Sequence, residues 1–74
     1  MTVYDKCKQL KDIFPEYQDN QYYKNQLTYY KEEIERSTQT EKIYKVATFL
    51  KVADSHQDAM SMLAAIDLLE EVKG

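Results

Sequence analysis

The sequence holds only one Cys and one His, so its 13 Asp and Glu residues are the most numerous candidates for catalysis or metal binding. Asp54, His56 and Asp58 alternate along the chain and offer side chains of the types that bind metals. Alternate residues diverge around a helix, however, and Asp is a favoured capping residue, so capping explains this triplet better than a metal does. We predict no metal site and no cofactor, because one His and one Cys cannot supply a zinc ligand set.

The acidic residues also form two pairs with helical spacing, Glu32 with Glu35 and Asp67 with Glu70. Each pair places two carboxylates on one face of a helix. This spacing resembles the paired carboxylates with which all-α nucleotide pyrophosphohydrolases hold Mg²⁺, and the resemblance does not extend beyond the spacing. Acidic pairs of this kind are common on solvated helices, and one His does not define a Ser–His–Asp set. We therefore predict that the protein is not an enzyme.

Composition bounds the remaining classes of function. The lone Cys7 cannot form an internal disulfide, which favours a reducing compartment, and we expect a cytoplasmic protein. The formal net charge of −3 disfavours binding to nucleic acid, and no stretch reaches the about 20 apolar residues of a membrane span. With 74 residues, of which 43% are hydrophobic, the chain is predicted to form a single helical domain over residues 1–74.

The spacing of apolar residues predicts an all-α fold, a small bundle of three to four short helices. The first helix carries the stripe Val3, Cys7, Leu10 and Phe14. It is predicted to begin with a capping box of Thr2 and Asp5 and to stop at Phe14, because Pro15 disfavours helical geometry for the residue before it. Because Cys7 lies on this apolar stripe, we predict that its thiol is buried and inert.

The second helix is predicted over about 19–36, and Thr38 and Glu41 form the capping-box pattern of a third. The apolar face of the third helix comprises Ile43, Val46, Ala47, Leu50 and Ala53. Because Asp and Ser prefer caps to helix interiors, we predict a break over 54–57, with Ser55 and Asp58 capping a fourth helix. Apolar spacing also continues through this segment, so one long helix over 41–72 is the alternative.

The predicted fourth helix is apolar nearly all round. One face carries Ala59, Leu63 and Ile66, and the opposite face carries Met60, Ala64 and Leu68. A helix of this kind is either central in its bundle or buried in an oligomer. Because so short a chain has little with which to wrap it, we predict self-association, as in a homodimer, through Met60, Ala64 and Leu68. A four-helix arrangement that wraps this helix within one chain is the alternative.

The core stripe of the second helix is predicted to be Tyr23, Leu27, Tyr30 and Ile34, and the helix carries further tyrosines outside it. Tyr22 and Tyr29 lie one above the other, roughly 120° from the stripe at ~100° per residue, and Gln26 and Glu33 flank them. Because Tyr is enriched at binding hot spots, we predict that Tyr22, Gln26, Tyr29 and Glu33 form a partner-binding face. The alternative is that the rings lie over neighbouring helices with their hydroxyls in water.

These patterns favour a small protein that binds another protein and modulates or inhibits it, in the style of regulators from phages or mobile elements. A helical subunit that binds only itself is one alternative. A nucleic-acid-binding protein is another, because the helix over 38–51, a tight turn and a further helix have the outline of a helix-turn-helix. The second helix of that unit carries no Lys or Arg before Lys73, which disfavours contact with DNA.

Overall fold

The computed structural model describes residues 2–74 and shows four α-helices with no β-strand in that range. The helices are α1 (Val3–Ile13), α2 (Gln21–Ile34), α3 (Gln39–Ser55) and α4 (Ala59–Lys73), and a 3₁₀ turn covers Tyr17–Asp19. The predicted all-α bundle is therefore confirmed. Among the described residues, no helix combines the length and the apolar character that crossing a membrane requires.

The first two helices begin and end at local signals. The Thr2 hydroxyl accepts a hydrogen bond from the backbone N–H of Asp5, whose carboxylate accepts one from the backbone N–H of Thr2. Phe14 leaves helical geometry directly before Pro15. α2 is shorter than the predicted 19–36, and it starts later because Asn20 caps it by accepting from the second and third backbone N–H groups that follow.

The chain breaks between α3 and α4, as predicted, rather than continuing as one long helix. α3 ends in a Schellman motif: the N–H of Asp58 donates to the Ala53 carbonyl at 3.0 Å, and the N–H of Gln57 donates to the Asp54 carbonyl at 3.0 Å. Gln57 occupies the left-handed position of this motif, with φ of 53°.

The residue that caps α4 differs from the prediction. Asp58 is the N-cap, since its side chain accepts from the backbone N–H of Ser61. Ser55 is instead the last residue of α3, and its hydroxyl donates to the Val52 carbonyl at 2.7 Å. The prediction of Ser55 as a cap was wrong because the left-handed Gln57 moves the turn towards the C-terminus.

We expect the substitution Gln57→Gly to stabilise the protein by about 0.5–1 kcal/mol. At positive φ the Cβ of Gln57 destabilises the folded state sterically, and Gly removes this effect. Gly also makes the unfolded chain more flexible, which offsets part of the gain. Gln57 is exposed, so the substitution removes no core packing. Urea unfolding measures the effect, with Gln57→Ala as the control that keeps the Cβ. A Gln57→Gly midpoint at or below that of the wild type would contradict the expectation.

α4 is the central helix of the bundle, and α1, α2 and α3 all pack against it. Its buried residues are Ser61, Met62, Leu63, Ala64, Ala65, Ile66, Leu68 and Leu69. The face predicted to bind a second copy is therefore already covered: Ala64 is 0% and Leu68 is 3% exposed, and Met60 is half-buried. Within one chain, three helices therefore bury Ala64 and Leu68 of the fourth, as in the arrangement given as the alternative to self-association, and the homodimer stays a prediction.

The burial of α4 also weakens the helix-turn-helix interpretation. In such a unit the second helix must lie free on the surface to enter a DNA groove. Here that helix would be α4, whose sides from Ser61 to Ile66 are all buried within the chain.

One hydrophobic core joins all four helices. α1 contributes Cys7, α2 contributes Tyr23, Tyr30 and Ile34, and α3 contributes Val46, Leu50 and Ala53. Cys7 is 1% exposed, which confirms its predicted burial. Burial raises the pKa of its thiol to about 11, so the thiol stays protonated and unreactive at neutral pH.

Candidate functional site

The tyrosines of α2 divide between core and surface as their spacing indicates. Tyr23 and Tyr30 are buried, whereas Tyr22 is 47% and Tyr29 is 51% exposed. Of the two residues predicted beside them, Glu33 is exposed and Gln26 is half-buried. The predicted partner-binding face has different neighbours at its two ends. Tyr22 and Gln26 contact the start of α4, whereas Tyr29 and Glu33 lie beside α3.

Tyr22 and Gln26 attach α2 to the first turn of α4. The Tyr22 hydroxyl donates to Asp58 Oδ2 at 2.5 Å, and the Ser61 hydroxyl donates to the same oxygen at 2.8 Å. Gln26 Nε2 donates to the Ser61 hydroxyl at 2.8 Å, so the buried Ser61 has partners on both sides. These bonds give Tyr22 and Gln26 a structural role that the sequence pattern did not predict.

The same bonds set the ionisation of Asp58. Burial alone raises the pKa of this carboxyl, but hydrogen bonds from Tyr22 and from the hydroxyl and backbone N–H of Ser61 outweigh it. The net result is a pKa below the ordinary value of 3.8. A carboxylate with a lower pKa in the folded chain contributes stability above its unfolded pKa, and this contribution is lost as the pH falls through the folded pKa.

We therefore expect Asp58→Asn to lower the free energy of unfolding at about pH 7 and to lose this effect as the pH falls below about 4. Asn is also a favoured N-cap, so the variant retains a cap and tests the charge. Urea unfolding of both proteins across this pH range measures the difference. A difference that stays constant from neutral to acidic pH would contradict the assignment.

Tyr29 and Glu33 lie beside α3, next to a layer of aromatic rings formed by Tyr30 of α2 and Phe49 of α3. The rings of Tyr30 and Phe49 stack with centroids 4.6 Å apart and planes 11° apart. Tyr29 lies against Tyr30, with ring centroids 5.8 Å apart. Glu33 borders a shallow cavity of about 260 Å³, whose other lining residues are Tyr44, Lys45, Thr48 and Phe49. We term Tyr29, Glu33, Tyr44, Thr48 and Phe49 the α2–α3 aromatic surface.

α3 therefore contributes a part of this surface that the α2 pattern alone did not reveal. Tyr44 is 75% exposed and lies outside the apolar face of its helix. Phe49 is half-buried and joins the two helices through its stack with Tyr30. An aromatic residue off the core stripe is the one sequence signal that could have identified Tyr44.

Asp67 holds a second polar cluster. Its Oδ2 accepts from the hydroxyls of Tyr17 and Tyr23, each at 2.8 Å, and its Oδ1 pairs with Lys11 Nζ at 3.2 Å. Burial and the hydrogen bond to Asp67 raise the pKa of both tyrosines, so their hydroxyls remain protonated donors. The pKa of Lys11 is also raised, since its bond to Asp67 outweighs the opposing effect of burial. This cluster attaches α1, the 3₁₀ turn and α2 to α4.

Of the acidic residues considered as metal ligands, Asp54, Asp58 and Asp67 have partners inside the chain. Asp54 pairs with Lys6 at 3.0 Å, and Asp58 caps α4. Asp67, from the second acidic pair, is occupied by Lys11 and two tyrosines. Within residues 2–74, no three His, Cys, Asp or Glu side chains converge as ligands of a metal.

No protein-family model matches the chain, and neither curated proteins nor solved structures gave a significant match. Tyr44 and Tyr29 are the two most exposed aromatic side chains of residues 2–74, and both lie on the α2–α3 aromatic surface.

Proposed function

We propose that this protein is a non-enzymatic, protein-binding modulator that contacts its partner through the α2–α3 aromatic surface. The observation that carries the proposal is the placement of the two most exposed aromatic side chains, Tyr29 and Tyr44, on one surface. A Tyr side chain covers a large area with few rotatable bonds, and its hydroxyl adds a hydrogen bond, so Tyr is enriched at interface hot spots.

Packing beneath the surface supports this function. Tyr29 lies against Tyr30, which stacks on Phe49, so the exposed ring is held by a layer that spans two helices. A preorganised ring loses less conformational entropy when a partner binds. The cavity of about 260 Å³ beside Tyr44 provides a recess for one side chain of the partner, with Glu33 and Lys45 as polar contacts at its edge.

The proposed surface modifies the face predicted from α2 alone. Tyr29 and Glu33 keep their predicted place in it, whereas Tyr22 and Gln26 serve the attachment to α4. Tyr44 and Phe49 replace them on the α3 side. A regulator or inhibitor of another protein, of the kind that phages and mobile elements encode, is the role that we propose for this surface.

The proposal is tested with the double variant Tyr29→Ala, Tyr44→Ala in affinity capture from the source cells, followed by mass spectrometry. Tyr4→Ala is the matched control, since Tyr4 is 48% exposed but lies on α1. We expect the double variant to lose the captured protein at least about tenfold while its free energy of unfolding changes by less than about 1 kcal/mol. Equal capture by the wild type and the double variant, or no specific capture by the wild type, would reject the proposal.

A further inference from the structure

Apolar side chains remain exposed where the end of α1 meets the start of α4. Ile13 is 65% and Phe14 is 42% exposed. Ile13 lines two neighbouring cavities, one of about 270 Å³ and one of about 420 Å³. Six of the apolar residues that line them belong to the end of α1, its C-cap and the start of α4, and we term this set the α1–α4 cleft: Leu10, Ile13, Phe14, Ala59, Met60 and Met62.

The edge of the α1–α4 cleft is acidic. Glu16 and Asp19 line the larger cavity. Both acids are exposed, and neither pairs with a Lys or Arg of residues 2–74. Of the described residues that line either cavity, Lys6 is the one base, and its charge is balanced by Asp54 at 3.0 Å.

We propose that the α1–α4 cleft binds a basic amphipathic helix of a partner protein. The apolar face of such a helix would fill the cleft beside Ile13 and Met60, and its Lys or Arg side chains would pair with the acids at the edge. Met60 suits this role because its flexible thioether adapts to differently shaped apolar side chains. The cleft shares no residue with the α2–α3 aromatic surface, so this proposal and the proposed function can fail independently.

Charge also distinguishes this partner from a second copy of the chain. A symmetric contact between two clefts would bring Glu16 and Asp19 of both copies together, and the cavity that these acids line contains no Lys or Arg. Like charges placed across an interface suppress association. The formal net charge of −3 adds a general repulsion between copies.

The test titrates the full chain with a designed peptide of about 15 residues, made of Leu and Lys with Leu at helical spacing. Two matched peptides serve as controls: Leu and Glu at the same spacing, and Leu and Lys with Leu at alternate positions. Methyl NMR follows Ile13, Met60 and Met62. We expect the helical Leu–Lys peptide to shift these methyl signals and to bind at least about tenfold more tightly than either control.

Variants then assign the binding to the cleft. Ile13→Gln and the pair Glu16→Lys, Asp19→Lys are each expected to weaken binding of the Leu–Lys peptide about tenfold, while Tyr44→Ala leaves it unchanged. The charge-reversal pair changes exposed residues only, so it keeps the test valid if Ile13→Gln impairs folding.

Three results would overturn the proposal. The Leu–Glu peptide could bind equally well, or the Leu–Lys peptide could leave the methyl signals of Ile13 and Met60 in place. The same signals could instead shift with protein concentration alone while light scattering shows a doubled mass, which would identify a second copy as the occupant.

Discussion

Leu68→Glu is expected to unfold the protein, whereas Met60→Glu is expected to leave it folded. Leu68 is 3% exposed on the central helix, so the variant loses its apolar packing and buries a carboxylate without a partner. The combined loss exceeds about 4 kcal/mol, against a total stability of roughly 4–11 kcal/mol for a chain of this size. Met60 is half-buried at the α1–α4 cleft, where a Glu side chain can reach water.

Circular dichroism and light scattering of both variants measure this difference. Leu68→Met is the matched control, because it keeps an apolar side chain of similar volume and costs less than about 1.5 kcal/mol. Had Leu68 faced a second copy, the Glu variant would be a folded monomer derived from an associated wild type. A folded Leu68→Glu variant would therefore contradict a core in which one chain encloses α4.

Asp67→Ala is expected to lower the free energy of unfolding by about 2–4 kcal/mol. The Asp67 side chain is 17% exposed and is shared by Tyr17, Tyr23 and Lys11. Its removal leaves two part-buried hydroxyls without an acceptor, and each unsatisfied group costs about 1–3 kcal/mol before the structure relaxes. Lys11 is partly exposed and recovers some of its loss by turning to water.

Urea unfolding measures this loss, with Glu70→Ala as the control for removal of an exposed carboxylate from the same helix. Asp67→Asn keeps an acceptor for the tyrosine hydroxyls, so we expect it to cost less than Asp67→Ala. A double-mutant cycle with Tyr23→Phe isolates the shared hydrogen bond and should give a coupling energy of about 1 kcal/mol. Asp67→Ala with wild-type stability would show that the cluster does not stabilise the fold.

Both variants concern features that the sequence pattern described only in part. It identified α4 as apolar all round but could not say what covers it. Helical periodicity places Leu68 on a face, whereas the cover of that face comes from helices elsewhere in the chain. The spacing places Asp67 in an acidic pair with Glu70, whereas its partners Tyr17 and Tyr23 lie 50 and 44 residues away.

The candidate binding surface shows the same division. The spacing of α2 correctly separated Tyr22 and Tyr29 from the buried Tyr23 and Tyr30. It could not distinguish Tyr22, whose hydroxyl bonds to Asp58 36 residues away, from Tyr29, which lies on an aromatic layer shared with α3.

The sequence by itself determined an all-helical chain and most of its helix boundaries, because their signals are local, while it left one long helix over 41–72 as an alternative to α3 and α4. The capping box at Thr2, the stop before Pro15, the apolar stripes and the polar break before α4 each act within a few residues. The tertiary structure alone decided that one chain encloses α4 and that Ile13 stays exposed. It also decided that the Tyr22 hydroxyl bonds to Asp58, whereas Tyr29 stays exposed beside α3. These outcomes depend on contacts between helices, which the periodicity of a single helix does not encode.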